Sequence, residues 1–571
     1  MTAQTMLLPY GPVPTPRQIR HHAREFYGFI HFTINTFTDK EWGFGDESPT
    51  LFDPTDFDAT QIVRAASDAG MAGLILTCKH HDGFCLWPTA TTDHCVRNSP
   101  FRGGRGDVVR EISDACREAG IEFGVYLSPW DRNSALYGTP EYVTEIYRPQ
   151  LRELLTQYGP LFEVWFDGAN GGDGFYGGAN EVRKIDPASY YDWGETWQIV
   201  RELQPEAVMF SDIGPDVRWI GNEKGIAGDP CWATLDTGSN VPGVADHDQL
   251  NRGDRNGATW LIPECDVSIR PGWFWHRSED RQVRSGRNLV DLYFQSVGRG
   301  ATFLLNLTPD RRGRVPDTDA AALQVMRSHL DRTFAHDLGA GAAVLPPADP
   351  TSERHTAQTI MLTLPQPAQV NLVWLREDLR YGQRVDAWEM DVWQNEAWHA
   401  VASAEAIGAQ RLIRFAAVTA DRFRLRITKS PVEQVALSEI ALFFEPFLDE
   451  STRANIPAPA ISQSVSVVAP DAVTLLLDRG EDPSPVSGLV YTPAIGERIV
   501  ARYAVAVSTD NETWREIARG EFSNIGNNPL PQTIRFEAGP SNRFVRFHAE
   551  RFVSGDRVSP EDLAVITEPP L

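Results

Sequence analysis

The stretch GDVVREISDACREAGIEFGVYLSPWDR, residues 106–132, joins an amphipathic helical pattern to a short apolar run. The helical half ends at Gly120, because glycine is a common helix stop. The run that follows, residues 122–128, is rich in aliphatic and aromatic residues, which is typical of a strand buried on both faces. This alternation recurs along the first 330 residues. Repeated strand–helix alternation of this length predicts a parallel (β/α)8-like barrel.

Seven apolar runs predict barrel strands, and we expect the eighth strand between residues 230 and 260, where the pattern is weak. The seven runs are Phe26–Phe32, Gly73–Cys78, Glu122–Ser128, Leu161–Phe166, Ala207–Ser211, Ala258–Pro263 and Ala301–Asn306. Functional groups of such barrels lie at strand C-termini. Polar residues recur at that position and predict a site there: His31, the His80-His81 pair, Tyr126, Asp167, Asp212, Glu264 and Asn306.

The character of the chain changes near residue 336, where a Gly-, Ala- and Pro-rich segment over 336–350 resembles a linker. Alternating patterns then predict strands, and a second linker-like segment covers residues 448–460. We therefore expect a catalytic barrel over residues 1–335, a β-sandwich over 336–450 and a second β-sandwich over 451–571.

The two predicted sandwiches repeat each other in sequence. Gly382, Trp398 and the segment DRFRLRI are followed in the same order by Gly496, Trp514 and NRFVRF. Two β-sandwiches of similar topology are the expected result.

Composition restricts the cellular role of the chain. The formal charge of −24 over 571 residues disfavours nucleic acid and anionic membranes as partners. No apolar run approaches the roughly 20 residues that span a bilayer, and the N-terminus lacks a signal-peptide pattern. None of the six cysteines forms a CxxC motif, which favours reduced thiols. We expect a cytoplasmic protein, while secretion of a processed form stays open.

The motif VWFDGANGG, residues 164–172, delivers Asp167 at a strand end before a glycine-rich loop. The glycines allow backbone and ligand to approach the carboxylate closely. Two interpretations are equally supported by this motif: a catalytic nucleophile or base, and an aspartate that only binds loop amides.

The motif CKHHDGFCLWPT, residues 78–89, places His80 and His81 after a strand. Two imidazoles offer donors and acceptors to a polyol. Together with Cys78 they also suggest a metal site, although zinc sites usually need further close ligands. A sugar pocket is the favoured interpretation.

Two further segments contain candidate sugar-binding and acid groups. His31 ends a strand, and Glu41-Trp42 combines a carboxylate with an aromatic ring, a frequent sugar-binding pair. The loop GPDVRWIGNEKG, residues 214–225, contains Glu223 as a candidate proton donor beside apolar groups. The motif alone leaves Asp212, Asp216 and Glu264 as competing acids.

With these motifs the chain resembles glycoside hydrolase family 29, the α-L-fucosidases. The resemblance covers roughly residues 26 to 313, and the TFTDKEWG and RWIGNE segments resemble the branch that acts on α-1,3/1,4-linked fucose. The segments that carry it are HFTINTFTDKEWG, CKHHDGFCLWPT, GVYLSPWDR, VWFDGANG, GPDVRWIGNE and RGATFLLNLTPDRRG.

The resemblance implies a retaining double displacement that releases L-fucose from Lewis-type glycans. Asp167 matches the nucleophile and Glu223 the acid/base. No cofactor is required in this family. The pocket residues implied by the match are His31, Glu41, Trp42, His80, His81, Tyr126, Trp165 and Trp273.

The second sandwich resembles discoidin-type, coagulation factor 5/8 modules. That likeness implies carbohydrate binding or a bracing role, and a capacity for structural calcium. The glycine-rich stretch 171–187 departs from the family pattern and is expected to act as a lid or to reshape the aglycone side. Two alternative functions stay open: a non-catalytic glycan-binding protein, and a glycosidase for a related sugar such as α-L-galactose.

Overall fold

The computed structural model describes residues 7–346, 358–448, 461–462, 466–480, 486–536 and 543–566. The chain divides into two compact units. The first contains Met1–Phe37, Trp42–Val267 and Ser285–Glu450. The second contains Thr38–Glu41, Ser268–Arg284 and Ser451–Leu571.

The first unit contains a closed barrel of eight parallel strands, which confirms the predicted fold class. The strands are almost wholly buried, as expected for strands covered on both faces. In chain order they are Phe26–Ile30, Gly73–Lys79, Glu122–Leu127, Glu163–Trp165, Val208–Ser211, Val217–Trp219, Ile262–Ser268 and Thr302–Leu307.

The expected position of the eighth strand was wrong. The region 230–260 holds no barrel strand but a two-stranded hairpin of Thr234–Leu235 with Thr259–Trp260. The strand missing from the predicted set is Val217–Trp219, which pairs with both Val208–Ser211 and Ile262–Ser268. Its three residues lie inside a polar loop sequence, so they give no periodic signal.

Amphipathic helices connect the barrel strands. Two of the helices predicted from sequence begin at aspartate N-caps, Asp58 and Asp107, and Gly120 ends the second in a left-handed conformation. The α-helices are Pro16–His22, Ile34–Thr38, Ala59–Asp68, Val108–Ala119, Arg148–Gln157, Trp193–Leu203, His247–Arg252, Gly286–Gln295 and Asp317–Phe334.

A six-stranded antiparallel sheet follows the barrel in the first unit. Its first strand lies inside the segment expected to be a linker, where Ala343–Leu345 pairs with Thr359–Glu377. Residues 347–350 of this segment, and residues 449–460 of the second expected linker, fall outside the described residues. The other strands of this sheet are Ala387–Gln394, Ala397–Glu405, Arg411–Lys429 and Leu437–Phe443.

The C-terminal part of the second unit contains a four-stranded and a five-stranded antiparallel sheet. Side chains of both sheets meet in one hydrophobic core, which makes this part a sandwich. The smaller sheet has strands Ile461–Ser462, Gly488–Tyr491, Gln532–Arg535 and Leu563–Ile566. The larger has Ser466–Val468, Thr474–Asp478, Ile499–Ser508, Arg515–Glu521 and Phe544–Ser554.

All six cysteines are buried and free, in agreement with the prediction of reduced thiols. Among the described residues, no helix combines the length and apolar character that crossing a membrane requires.

Candidate active site

Asp167 lies at the C-terminal end of the barrel strand Glu163–Trp165, where the barrel predicts functional groups. The Tyr126 hydroxyl donates to its Oδ2 at 2.9 Å, and the backbone N–H of Ala169 donates to its Oδ1 at 2.6 Å. Burial raises the pKa of Asp167, while the two hydrogen bonds oppose this shift. The loop amide anticipated from sequence is present, and Tyr126 adds a second donor that fixes the direction of the carboxylate.

Three imidazoles cluster beside Tyr126, the hydrogen-bond partner of Asp167. Ring centroids of His31 and His80 are 5.6 Å apart, and those of His80 and His81 are 4.0 Å apart. His31 Nδ1 lies 2.9 Å from Asn306 Oδ1, and His81 Nδ1 lies 2.8 Å from Ser128 Oγ. Burial lowers the pKa of His31 to about 3 and those of His80 and His81 well below the usual value. The rings are therefore neutral near pH 7, and neutral imidazoles suit sugar hydroxyls as both donors and acceptors.

Aromatic rings extend the cluster toward solvent. Trp42 is 52% exposed and meets His81 edge-on at 5.2 Å. The ring centroid of Trp130 lies 5.7 Å from that of Trp42 and 5.2 Å from that of His81. An exposed indole beside neutral imidazoles provides the apolar plate on which a sugar ring packs.

The glycine-rich stretch 171–187 contains an antiparallel hairpin of Gly171–Gly174 with Glu181–Lys184. Tyr176 in its turn is buried and accepts a hydrogen bond from Trp130 Nε1 at 2.9 Å. The hairpin thus supports the aromatic rings of the cluster through its hydrogen bond with Trp130. A role for it as a lid stays a prediction.

Trp165 lies inside the barrel, held on several sides. It stacks on Phe210 at 4.2 Å and meets the Tyr126 ring at 4.9 Å. Its Nε1 donates to Glu264 Oε1 at 2.9 Å, and Tyr27 donates to the other oxygen of that carboxyl group. The buried carboxyl group of Glu264 therefore fixes the orientation of the Trp165 ring.

Asp216 and Glu264, two of the competing acids, have structural partners. Asp216 accepts from Arg17 Nε at 3.1 Å and also pairs with Arg201, and it precedes its strand instead of following it. Glu264 lies in the middle of the strand Ile262–Ser268 and is fully buried. Neither carboxyl lies at a strand C-terminus.

Glu223 lies in the loop after the strand Val217–Trp219 and is partly exposed. Its charge acts on Asp266, a buried aspartate whose Oδ1 accepts from Trp219 Nε1 at 2.8 Å. Burial, followed by the charge of Glu223, raises the pKa of Asp266 well above its usual value. Two nearby carboxyls with this repulsion retain a proton to higher pH than either alone.

Asp212 is the third competing acid, and it abuts the loop of Asp167. A Cβ atom placed on Gly168 would lie 2.6 Å from Asp212 Oδ2. Burial raises the pKa of Asp212 to about 7, with a further contribution from Asp167, while a 2.7 Å hydrogen bond from Gly243 N opposes the shift. Asp212 thus combines a suitable pKa with proximity to Asp167.

Glu41 and Trp273 belong to the second compact unit, and there they contact each other. Glu41 accepts hydrogen bonds from the backbone N–H groups of Trp273 at 2.9 Å and Phe274 at 3.2 Å. His276 Nε2 lies 2.8 Å from Glu41, and its Nδ1 lies 3.0 Å from Asp39. Burial disfavours the imidazolium, but the bonds to Asp39 and Glu41 raise the pKa of His276 well above its usual value. Glu41 therefore anchors the segment that carries Trp273.

Among the described residues, one group of side chains of the kinds that bind metal ions lies close together. It consists of His21, Glu163 and Glu264. Their donor atoms lie within 4.8 Å of one another, and all three are buried. Burial and the neighbouring Glu264 raise the pKa of Glu163 well above its usual value, and burial raises that of Glu264 to about 7. The motif around Cys78 and His80 forms no such convergence.

Several of the side chains described above were not assigned a role from sequence. Asp266 was missed because the strand Ile262–Ser268 continues beyond the predicted end. The others are Ser128, Trp130, Tyr176, His276 and Asn306. Ser128, Trp130 and Asn306 had a signal from their positions at or after strand ends, whereas Tyr176 and His276 had none.

Comparisons with known proteins identify the family of the chain. Residues 15–333 match the protein-family model described as alpha-L-fucosidase. An α-L-fucosidase 1 of Arabidopsis thaliana is 37% identical over 469 residues, covering 78% of this chain and 90% of the plant protein.

Two solved structures extend the match to three dimensions. A glycoside hydrolase 29 family member from an unknown rumen bacterium has a TM-score of 0.74 and 38% identity, covering 98% of this chain and 100% of the other. A GH29 fucosidase of Ruminococcus gnavus in complex with fucose has a TM-score of 0.67 and 29% identity, covering 77% and 96%. The chain therefore belongs to glycoside hydrolase family 29 and is an α-L-fucosidase.

Proposed function

We propose that this α-L-fucosidase is a retaining exo-enzyme that releases L-fucose from α-1,3/1,4-fucosylated, Lewis-type glycans. One observation carries the proposal: an oriented carboxylate, Asp167, lies at a strand end beside three neutral imidazoles. Neutral imidazoles and exposed indole suit a sugar with an apolar face and free hydroxyls.

In the first step Asp167 attacks the anomeric carbon of fucose and forms a covalent fucosyl-enzyme. The transition state resembles an oxocarbenium ion, and the carboxylate charge stabilises it. His31, His80, His81, Tyr126 and Trp165 are the proposed pocket residues from the barrel. Trp42, Glu41 and Trp273 complete the proposed set. The mechanism uses no metal ion or organic cofactor.

Glu223 is the proposed acid/base. It donates a proton to the glycosidic oxygen and then activates the water that releases fucose with retained configuration. The raised pKa of Asp266 supports the proposal, because the charge of Glu223 contributes to that shift and the two carboxyl groups therefore interact. Asp212 is the competing candidate because its pKa is about 7.

Chemical rescue by azide tests both assignments. We expect Asp167→Ala to lower kcat by at least about 1,000-fold, with azide restoring turnover and giving β-fucosyl azide. An acid/base variant instead yields α-fucosyl azide from an aryl fucoside with a good leaving group. We expect that product from Glu223→Ala and not from Asp212→Asn. The α-azide from Asp212→Asn alone would transfer the acid/base role to Asp212.

Linkage preference is tested with matched oligosaccharides. A Lewis-type trisaccharide should release fucose at least tenfold faster than 2′-fucosyllactose, an α-1,2-linked substrate. Equal rates would contradict the proposed preference. Binding without release of fucose would favour the non-catalytic alternative, and faster cleavage of an aryl α-L-galactoside than of the fucoside would change the sugar.

A further inference from the structure

A groove crosses the outer face of the five-stranded sheet in the C-terminal sandwich. Its volume is about 740 Å³, and it is open to solvent. The opposite face of the same sheet supplies the hydrophobic core, including Val505 and Phe547. The groove is therefore a feature of the surface, separate from the core. Its principal side chains are Asp471, Trp514, Glu516, Arg519, Arg546 and His548.

Small residues on the strand Ile499–Ser508 create the groove. Ala504 and Ala506 lie on the outer face of Ile499–Ser508, opposite His548 and Arg546 of the neighbouring strand. Side chains alternate between faces of a strand, so the longer residues on both sides rise above these two alanines. The two alanines thus form the floor of the groove, and the longer side chains on both sides form its walls.

The sheet of the first unit provides an internal comparison. Its hairpin carries a bulge between Met390 and Asp391, and the hairpin of the second unit carries one between Val505 and Ala506. Asp391 therefore holds the place of Ala506. Asp391 stands opposite Arg424, just as Ala506 stands opposite Arg546.

In the first sheet this place is filled by ion pairs. Asp391 is buried and accepts from Arg424 Nε at 2.8 Å and from Arg426 Nε at 2.7 Å. Glu389 also pairs with Arg426. The alanines of the second sheet remove both carboxylates from the equivalent positions, so the face that is closed by charge pairs in one sheet is open in the other.

The open face retains the aromatic ring of Trp514 and the guanidinium group of Arg546. Arg546 lies over the ring of Trp514 at 4.4 Å, as Arg424 lies over Trp398 at 4.6 Å. Within the part of the chain that the structure describes, no carboxylate pairs with Arg546, in contrast to Arg424.

Donors and acceptors line the rest of the groove. His548 Nδ1 lies 3.1 Å from Thr474 Oγ1. Arg519 pairs with Glu516 at 2.7 Å and with Glu550. Two guanidinium groups thus accompany three carboxylates, since Asp471 also lines the groove. The charges nearly balance, which favours neither a polyanion nor a polycation.

We propose that this groove binds an uncharged oligosaccharide, with Trp514 as the stacking platform and Arg546, His548 and Asp471 as hydroxyl partners. An aromatic face beside balanced donors and acceptors is the chemistry that recognises neutral sugars. The proposal does not depend on hydrolysis of fucosides, because the groove belongs to the sandwich alone.

The full-length protein should be applied to a glycan array that carries fucose-free neutral, sialylated and sulfated oligosaccharides, with excess free L-fucose to occupy the catalytic pocket. We expect binding to at least one neutral oligosaccharide, followed by measurement of its Kd by calorimetry. Trp514→Ala should weaken that binding at least tenfold, while Trp398→Ala, the matched change in the first sheet, should leave it within twofold.

A second variant, Ala506→Asp, adds a carboxylate where the first sheet has Asp391 and should abolish binding without removing a side chain. Thermal melting and turnover of an aryl fucoside should match the wild-type protein for every variant, which separates this site from the catalytic one. Absence of binding to all neutral oligosaccharides, binding confined to sialylated or sulfated ones, or equal losses in Trp514→Ala and Trp398→Ala would overturn the proposal.

Discussion

The Asp167 carboxylate is governed by two opposed influences. Burial raises its pKa, and the hydrogen bonds from Tyr126 and the Ala169 amide lower it. Tyr126 is therefore a positioning residue that also sets the pH at which the carboxylate becomes available. Its hydroxyl is one of the two donors that hold the carboxylate in a fixed direction.

Removal of this hydroxyl gives the first prediction. Tyr126→Phe should lower kcat/KM about 10- to 100-fold, because a hydrogen bond to a charged group contributes about 1.5–3 kcal/mol. The pKa of Asp167 should rise, so the acidic limb of the kcat/KM profile moves to higher pH. The measurement is a pH profile with an aryl fucoside.

Tyr293→Phe is the matched control for that change. Tyr293 is also buried and also donates to a carboxylate, Glu25, at 3.1 Å. We expect its pH profile to match the wild type. If both variants shift the acidic limb equally, the effect does not arise at Asp167.

At the scale of elements, the barrel and its strand ends could be predicted from sequence because long apolar runs alternate with amphipathic helices. Short elements could not. Val217–Trp219 has three residues, below the length at which a period is visible. The predicted run Ala258–Pro263 also stopped before the true end of Ile262–Ser268, so Glu264 was expected at a strand end and Asp266 was overlooked.

The candidate side chains were accessible from sequence for a similar reason. Asp167 and the paired histidines lie within two residues of strand ends, where position alone suggests function. The partners of Glu41 were not accessible, because they lie more than 200 residues away along the chain, as the 235-residue separation of Glu41 and His276 illustrates.

The hairpin of Gly171–Gly174 and Glu181–Lys184 gives the second prediction. Tyr176→Phe should leave the Trp130 N–H without its acceptor, which costs about 1–3 kcal/mol for a buried group. Trp130 should then lose its fixed orientation beside His81, and KM for an aryl fucoside should rise several-fold with a smaller change in kcat.

Tyr190→Phe provides the comparison for this element. Tyr190 accepts from Gly138 N at 2.7 Å and donates to Thr139 O at 3.0 Å, away from Trp130. Its KM should equal that of the wild type. An unchanged KM in Tyr176→Phe would show that the hairpin does not support the pocket.

At the scale of the whole molecule, buried carboxyls make the free energy of unfolding depend on pH. Burial, with a contribution from Glu47, raises the pKa of Asp82 from 3.8 to about 7. A group with a raised pKa in the folded state stabilises the fold fully below its unfolded pKa, and this contribution disappears as the pH passes about 7. As the pH rises from about 4 to about 7, the contribution of Asp82 therefore makes the free energy of unfolding fall.

This dependence gives the third prediction. Asp82→Asn keeps the oxygen that accepts from Phe84 N at 2.7 Å and removes the ionisable proton. The fall in Tm between pH 5 and pH 8 should become smaller than in the wild type. Asp68→Asn, a change at an exposed helix end, should leave the fall unchanged. A steeper fall in Asp82→Asn would contradict the assigned sign.

The neutrality of His31, His80 and His81 also has a consequence for inhibition. Burial keeps these imidazoles uncharged, so they do not repel a cation placed between them and Asp167. A fucose mimic with a protonated ring nitrogen would therefore meet attraction from the carboxylate without an opposing field from the histidines. Its potency should increase with the basicity of that nitrogen, so the design of tight ligands begins with ring-nitrogen analogues in preference to added contacts.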